Sequence, residues 1–599
     1  MRPAQPLDLA LIGNCRMGAL INRESRIVWC CFPRFDGDPV FSRLVSGSVE
    51  KGFCDVVLAD QVSAEAAYAR NTPVLETILT DRHGNAVKII DFMPRFLKFE
   101  RTFRPPQMIR RIEPIAGRPR IAIRVRPTFD YGRDPSHVVI GSNHIRYVGI
   151  TEVLRLSTDA PLSYITNETT FALTRPLTLI FGTDEPFTTE IESTALDFEN
   201  RTRNYWLSWV RSLGIPFEWQ DETIRAAITL KLCSYDETGA IIAAHTTSIP
   251  EAPNTSRNWD YRFCWLRDAY YVVHALNRLG ATQTMENFIN YLTTVVSEDA
   301  AALGPLHSII PGLPLEELHA DYLEGFLGHG PVRIGNAASI QAQHDVYGSV
   351  ILAAKQLFVD RRLPKMGDLA LYRMLEPLGE KAYALALKPD AGIWEYRGRE
   401  RVHTYSAALC WAACDRLAQI AGILGLADRR LHWGERARRL KDAILAESWN
   451  ESIGAIVGAF GHKELDASVL MISELGLLPP EDPRFVKTVG TIGRELERNG
   501  RIMRYTAADD FGAPETAFLV CNFWYLDALA SAGRHEEARD MFVDILGKAN
   551  QFGLLSEDLR QEDNTLWGNI PQTYSMAGII NSATRLSMRW EDAWCRASS

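Results

Sequence analysis

Glu395 stands in the heptapeptide Gly392-Ile393-Trp394-Glu395-Tyr396-Arg397-Gly398, directly after an indole and between two glycines. A carboxyl buried against apolar surface keeps its proton to higher pH, because the charged form loses hydration. An acid still protonated near neutral pH can hand that proton to a leaving oxygen, the first requirement of glycoside cleavage. Taken alone, these residues read more readily as an exposed loop glutamate beside a packing indole.

Other islands of chemistry-bearing residues interrupt the chain. The run Ser256 to Asp268 holds two Trp, one Tyr, three Arg and two Asp at a helix entrance. Arg donates and Asp accepts, so together they can grip vicinal hydroxyls. An internal Arg–Asp ion pair with aromatic packing explains the same composition equally well. Gly553 to Asp558 places a second carboxylate, Glu557, in a loop that leads to Trp567-Gly568-Asn569-Ile570-Pro571-Gln572. Gly500 to Tyr505 runs on to Asp509-Asp510. The glycines of Gly328 to Asn336 do not match G-x-G-x-x-G and lie in no βαβ unit, which excludes a dinucleotide site. His535-Glu536-Glu537 lacks the second His of a zincin, and no P-loop or G-x-S-x-G elbow occurs. Cys410 and Cys414 lie one helical turn apart without a second pair at zinc-ligand spacing, so they read as buried thiols. No metal and no cofactor is expected.

The elements that must position these islands divide by period. From about residue 7 to about 190 short apolar runs alternate with turn signals. Val74 to Leu79 is answered across His83-Gly84-Asn85 by Ala86 to Ile90, and Arg120 to Arg126 alternates with period two. Many short strands of this kind predict an antiparallel sandwich. From about 195 the period is helical. Phe198 to Leu213 reads as a linking helix. A stripe from Trp265 to Leu276 stops at Gly280. Further helices are predicted near 339–357, 366–385, 404–423, 429–447, 515–532, 534–548 and 572–587. The absence of a 34- or 40-residue repeat counts against a solenoid and leaves a closed helical toroid.

Composition bounds the function. The 599 residues exceed one ordinary core, so two or more domains are expected. Hydrophobic content of 46% and charged content of 23% describe a globular protein. A net charge of −9 without a basic run argues against nucleic acid. No apolar run reaches the ~18 residues of a membrane helix. The stretch Met1 to Pro6 starts no signal-peptide h-region, and the ten Cys are scattered, which points to the cytoplasm. Fourteen Trp and nineteen Tyr suit sugar platforms and large cores alike.

In order along the chain, the islands resemble those of glycoside hydrolase family 15, the glucoamylases, glucodextranases and bacterial trehalases. The resemblance runs from Ile12-Gly13-Asn14 and Pro33-Arg34-Phe35-Asp36-Gly37 through 257–268, Pro331 to Asn336 and Gly392 to Gly398. It continues with Cys521-Asn522-Phe523-Trp524, Ser556-Glu557 and Gly568 to Gln572. It implies an N-terminal β-sandwich over 1–194, a helical linker over 195–218 and an (α/α)6 barrel over 219–599. It makes Glu395 the general acid and Glu557 the general base of an inverting reaction, with carboxyls ~6.5–9.5 Å apart to admit a water. Tyr261, Trp265, Arg267 and Asp268 are implied around the nonreducing-end glucose, with Arg504 in the pocket and Trp394 as a wall. Arg333 and Asn336 are further carry-overs.

The expected substrate is a small α-glucoside. Trehalose leads, because cytoplasmic members of about this length resemble trehalases and no starch-binding appendage follows the barrel. Isomaltose and maltooligosaccharides are the alternative. Two departures bear on the leaving-group subsite: Met576 stands where trehalase-like members carry His, and Tyr396 where fungal glucoamylases carry an acid. An inverting disaccharide phosphorylase needs no base at Glu557, and a noncatalytic sugar-binding protein needs neither glutamate.

Overall fold

The computed structural model describes residues 5–134, 136–298 and 303–596; Met1 to Ala4, where the N-terminal stretch begins, lie outside them. Two antiparallel sheets fill the N-terminal region. One runs in the order Leu9–Gly13, Gly18–Asn22, Ile27–Phe32, Phe53–Leu58, Arg120–Arg126, Phe171–Ala172, with Asp38–Phe41 added beside Ile27–Phe32. The other places His137–Ile140 at one edge and Gln61–Tyr68 at the opposite edge of eight strands. The anticipated hairpin joins Leu75–Asp81 to Ala86–Phe92. Its turn is fixed by Asp81, whose carboxylate accepts from the backbone N–H of His83 (2.8 Å) and Asn85 (3.0 Å). Along Leu75–Asp81 burial alternates residue by residue, as a strand with one covered face requires.

The first sheet differs. Leu9–Gly13 and Ile27–Phe32 are buried at every position, so both faces are covered. The helical region supplies one cover. Asn550 donates to the carbonyls of Leu7 and Leu9, both at 2.9 Å, and the Trp29 indole donates to the His245 carbonyl at 2.7 Å.

Helix α1 (Ile191–Arg211) starts seven residues earlier than the apolar spacing from Phe198 suggested. Then follow α2 (Gln220–Leu232), α3 (Leu266–Arg278), α4 (Thr282–Glu298), α5 (Asp345–Val359), α6 (Leu369–Leu385) and α7 (Thr404–Ile423). Next come α8 (Ala427–Ser448), α9 (Met471–Leu475), α10 (Pro483–Glu495), α11 (Leu519–Ser531), α12 (His535–Leu546) and α13 (Thr573–Leu586), and a short helix over Trp590–Arg596 follows them. Four of the numbered helices, α2, α4, α9 and α10, were not singled out from the sequence. For α10 a local signal exists: Asp482 caps the Arg484 N–H with Pro483 in the first turn.

Contacts between helices separate two groups. Helices α3, α5, α7, α9, α11 and α13 each touch the next, and α13 returns to α3. Each of α2, α4, α6, α8, α10 and α12 lies against one or two members of that ring. Sequence explains the division. Helix α7 is apolar nearly all round and buries its whole first half, whereas α8 buries only the stripe Trp433, Ala437, Leu440, Ile444 and Ser448.

Candidate active site

The loops that enter α3, α5, α7, α11 and α13 line one cleft, which encloses about 850 Å³ out to its mouth. Tyr261, Trp265, Arg267, Asp268, Asn336, Trp394, Glu395, Arg504 and Glu557 all line it. Residues up to 331 positions apart, from Ala243 to Tyr574, therefore line one cleft because each precedes or opens a helix of the same ring.

Glu395 adopts φ +59°, in the left-handed region that disfavours residues with a Cβ. Its Oε1 accepts from the Trp265 indole at 2.7 Å, from Gln343 at 3.3 Å and from Arg267 at 3.4 Å. The side chain stays 24% exposed to the cleft. The neighbouring indole is not what covers it. Trp394 instead donates to Asp466 at 2.8 Å and packs against Phe518 and Trp524. The deep burial that a proton-holding Glu395 would call for belongs to Glu557.

Glu557 is almost fully buried, and its Oε1 accepts from the Tyr261 hydroxyl at 2.5 Å. Burial, and then the charges of Asp558 and Glu251, hold its carboxyl well above the usual range, against the opposing pull of Tyr261 and Arg504. Asp558 is raised too, by burial and then by Glu251. Oxygens of Glu251, Glu557 and Asp558 lie within 4.8 Å of one another. Arg504 pairs with Glu251 and so places a guanidinium there. Glu251 escaped the sequence reading, although its place in the proline-bounded loop Pro250-Glu251-Ala252-Pro253 was a signal.

Tyr261 and Trp265 meet edge to face, with centroids 5.2 Å apart. Glu395 and Glu557 thus sit on donors carried by two touching rings.

The island 257–268 splits three ways at five-residue spacing. Arg257 pairs with Asp509 in the cleft wall. Arg262 turns away to the N-terminal region, where it holds Asp260 (2.6 Å), the Gly37 carbonyl (3.0 Å) and the Tyr131 hydroxyl. Arg267 forms the floor. It pairs with Asp345 at 2.9 Å and donates to Gln343 at 2.8 Å and to Tyr574 at 3.0 Å. The ion pair is therefore with Asp345, not with the adjacent Asp268, because successive helix positions face different directions. Burial raises the Asp268 carboxyl to about 7, despite the nearby Arg267 charge.

Two carry-overs differ in position. Asn336 lines the cleft and caps the turn at Ala338. Arg333 does not line it: it pairs with Glu317 at 2.7 Å and lies over the Trp259 ring, supporting the wall from behind. Of the two departures, Tyr396 lines the cleft, whereas Met576 is fully buried behind the Glu557 loop, its sulfur accepting from the Leu555 N–H at 3.4 Å.

An enclosed cleft with aromatic walls, an Arg–carboxylate floor and two separately held glutamates is the equipment of a glycoside hydrolase. The family model for "Glycosyl hydrolases family 15" matches residues 220–584, and one for "Trehalase-like, N-terminal" matches residues 2–175. The chain belongs to glycosyl hydrolase family 15. It is 30% identical to a trehalase of Thermoplasma volcanium over 588 residues, 96% of this chain and 92% of that one. A trehalase of Mycobacterium tuberculosis is 28% identical, with 99% and 91% covered. Among solved structures, a bacterial glucoamylase complexed with acarbose shares the fold with a TM-score of 0.68 at 14% identity, covering 97% of this chain and 94% of that one.

Proposed function

We propose that the protein is an inverting, exo-acting α-glucoside hydrolase that cleaves trehalose and releases β-glucose. The observation that carries this reading is the pair of donors on touching rings, Trp265 on Glu395 and Tyr261 on Glu557. In this reading Glu395 is the general acid and Glu557 the general base. The bond from C1 to the glycosidic oxygen breaks, and that oxygen takes the Glu395 proton. Water attacks C1 from the opposite face and gives its proton to Glu557. Arg267, Asp268, Tyr261, Trp265, Trp394 and Arg504 hold the terminal glucose, Asn336 shapes the wall, and Arg333 acts through Trp259. No metal or cofactor enters these steps.

Trehalose as substrate is supported by relatives of that name that match the chain nearly end to end. The glucoamylase fold favours one second reading, exo-cleavage of isomaltose or maltooligosaccharides. The finer architecture belongs to the same proposal: a sandwich over 1–194, a helical linker over 195–218 and an (α/α)6 barrel over 219–599, with the six mutually touching helices as its inner ring. A reducing, cytoplasmic setting is supported by nine cysteines that are free and buried among the described residues. None of the helices there is long and apolar enough to cross a membrane.

Proton NMR in the first minutes of trehalose cleavage tests the proposal. Inversion yields α- and β-glucose in equal amounts before mutarotation. A wholly α product would refute the mechanism; rapid cleavage of isomaltose with none of trehalose would replace only the substrate.

A further inference from the structure

The three clustered carboxyls ask where a proton resides. Glu251 is neutralised by Arg504, and Arg504 has no comparable ion pair with Glu557 or Asp558. Those two are adjacent, each 1% exposed, and each leaves one oxygen without a partner: Oε2 of Glu557 and Oδ2 of Asp558. Both oxygens crowd the same backbone point. A Cβ built on Gly568 would sit 2.8 Å from Glu557 Oε2 and 3.3 Å from Asp558 Oδ2. Two buried like charges this close cannot both persist, so the pair retains a proton.

The remaining donors decide which carboxyl takes it. Glu557 Oε1 receives a phenolic hydrogen bond from Tyr261 at 2.5 Å, whereas Asp558 Oδ1 receives only the Thr516 hydroxyl at 3.0 Å. A phenol is the stronger acid and the better donor to a charge. The groups that act most strongly on the pair are Glu251 and Arg504 on both carboxyls, Tyr261 on Glu557, and Thr516 and Arg257 on Asp558.

We propose that Asp558 is a positioning residue that carries the proton of this pair and donates it to the free oxygen of Glu557, leaving Glu557 ionised toward the attacking water. The inference rests on the reading of Glu557 as the base. It resolves a conflict in that reading, since a fully buried glutamate would by itself hold its own proton and fail to accept one. Asp558 acts through Glu557 and touches no substrate.

The charge state gives the test its direction, read from the acidic limb of kcat/KM against pH. D558N keeps shape and a donor, so it mimics the protonated acid and the limb stays within about 0.3 pH unit of wild type. D558L removes the donor, and the limb moves up by about one unit. If Asp558 were instead ionised, both variants would lift a negative neighbour and move the limb down, which overturns the proposal. Melting curves establish that each variant is folded. Should the Asp558 variants unfold, infrared difference spectra of wild type minus E557Q at neutral pH decide the point: loss of an ionised carboxylate band supports it, and loss of a protonated carboxyl band overturns it. Chelation by EDTA that abolishes wild-type activity would show that a metal cation, not a proton, neutralises the pair, and would also overturn it. An E557Q enzyme with wild-type turnover would refute the base assignment itself, a separate result.

Discussion

Glu395 has two features that a packing glutamate would not need: a left-handed backbone and three donors converging on one oxygen. Strain of this kind costs ~1–3 kcal/mol and persists where surrounding structure enforces it. Glu395→Gln is expected to melt as wild type does and to lose ~10²–10⁴-fold in turnover of a natural glucoside; a folded variant with wild-type turnover would return Glu395 to the role of a loop residue. Asp268 carries a different signature. Its folded-state pKa of about 7 lies above the ordinary carboxyl value. The native state therefore binds the extra proton between about pH 4 and 7, and this group's contribution to stability falls as pH rises through that window. Asp268→Asn removes the titration, so its melting temperature relative to wild type is expected to climb from pH 4 to pH 7. A constant difference would count against a buried, titrating Asp268.

At the scale of elements, the loop into α13 sets the base. Gly568 has φ +74°, and an added Cβ would lie 2.6 Å from the Glu557 Cβ. Gly568→Ala must move either the turn or Glu557. A Glu557 displaced by about 1 Å is expected to cost on the order of 10²-fold in kcat, measured in single turnover on folded protein; unchanged kcat would mean that the loop repacks freely. The floor behaves differently. Arg267 is 5% exposed and holds the fully buried Asp345, so Arg267→Ala strands a carboxylate and is expected to cost ~3–5 kcal/mol as well as activity. Denaturant unfolding alongside single-turnover kinetics reads both losses. Stability lost with turnover intact in the folded fraction would make Arg267 purely structural.

For the whole molecule, the N-terminal sheets and the helices share one buried seam. Asn550, in the segment after α12, holds the Leu7 and Leu9 carbonyls of the first strand at 2.9 Å. Asn550→Ala takes a donor from two buried carbonyls, of which Leu7 keeps the Leu9 N–H, and the expected loss is ~1–3 kcal/mol. Because the seam lies away from the cleft lining, KM is expected to stay at its wild-type value. A changed KM with unchanged melting would show that the sheets act on the site instead of supporting it.

Local pattern was enough to read the change from period two to period 3.6, helices such as Thr404–Ile423, and the islands that meet in the cleft, because periodicity and turn residues act over a few neighbours. Partners were beyond it. Which of Arg257, Arg262 and Arg267 joins the wall, the seam or the floor depends on the orientation of a helix entrance, and the sequence writes all three as one cluster. A general acid after Trp394 would call for a carboxyl buried against that indole, yet the fold gives Trp394 to Asp466 and the deepest burial to Glu557. Glu251 became a neighbour of the base, and of the adjoining Asp558, only when loops 306 residues apart closed on one ring. A carboxyl's protonation is set by burial and by charges within a few ångströms, and those distances are properties of the folded chain alone.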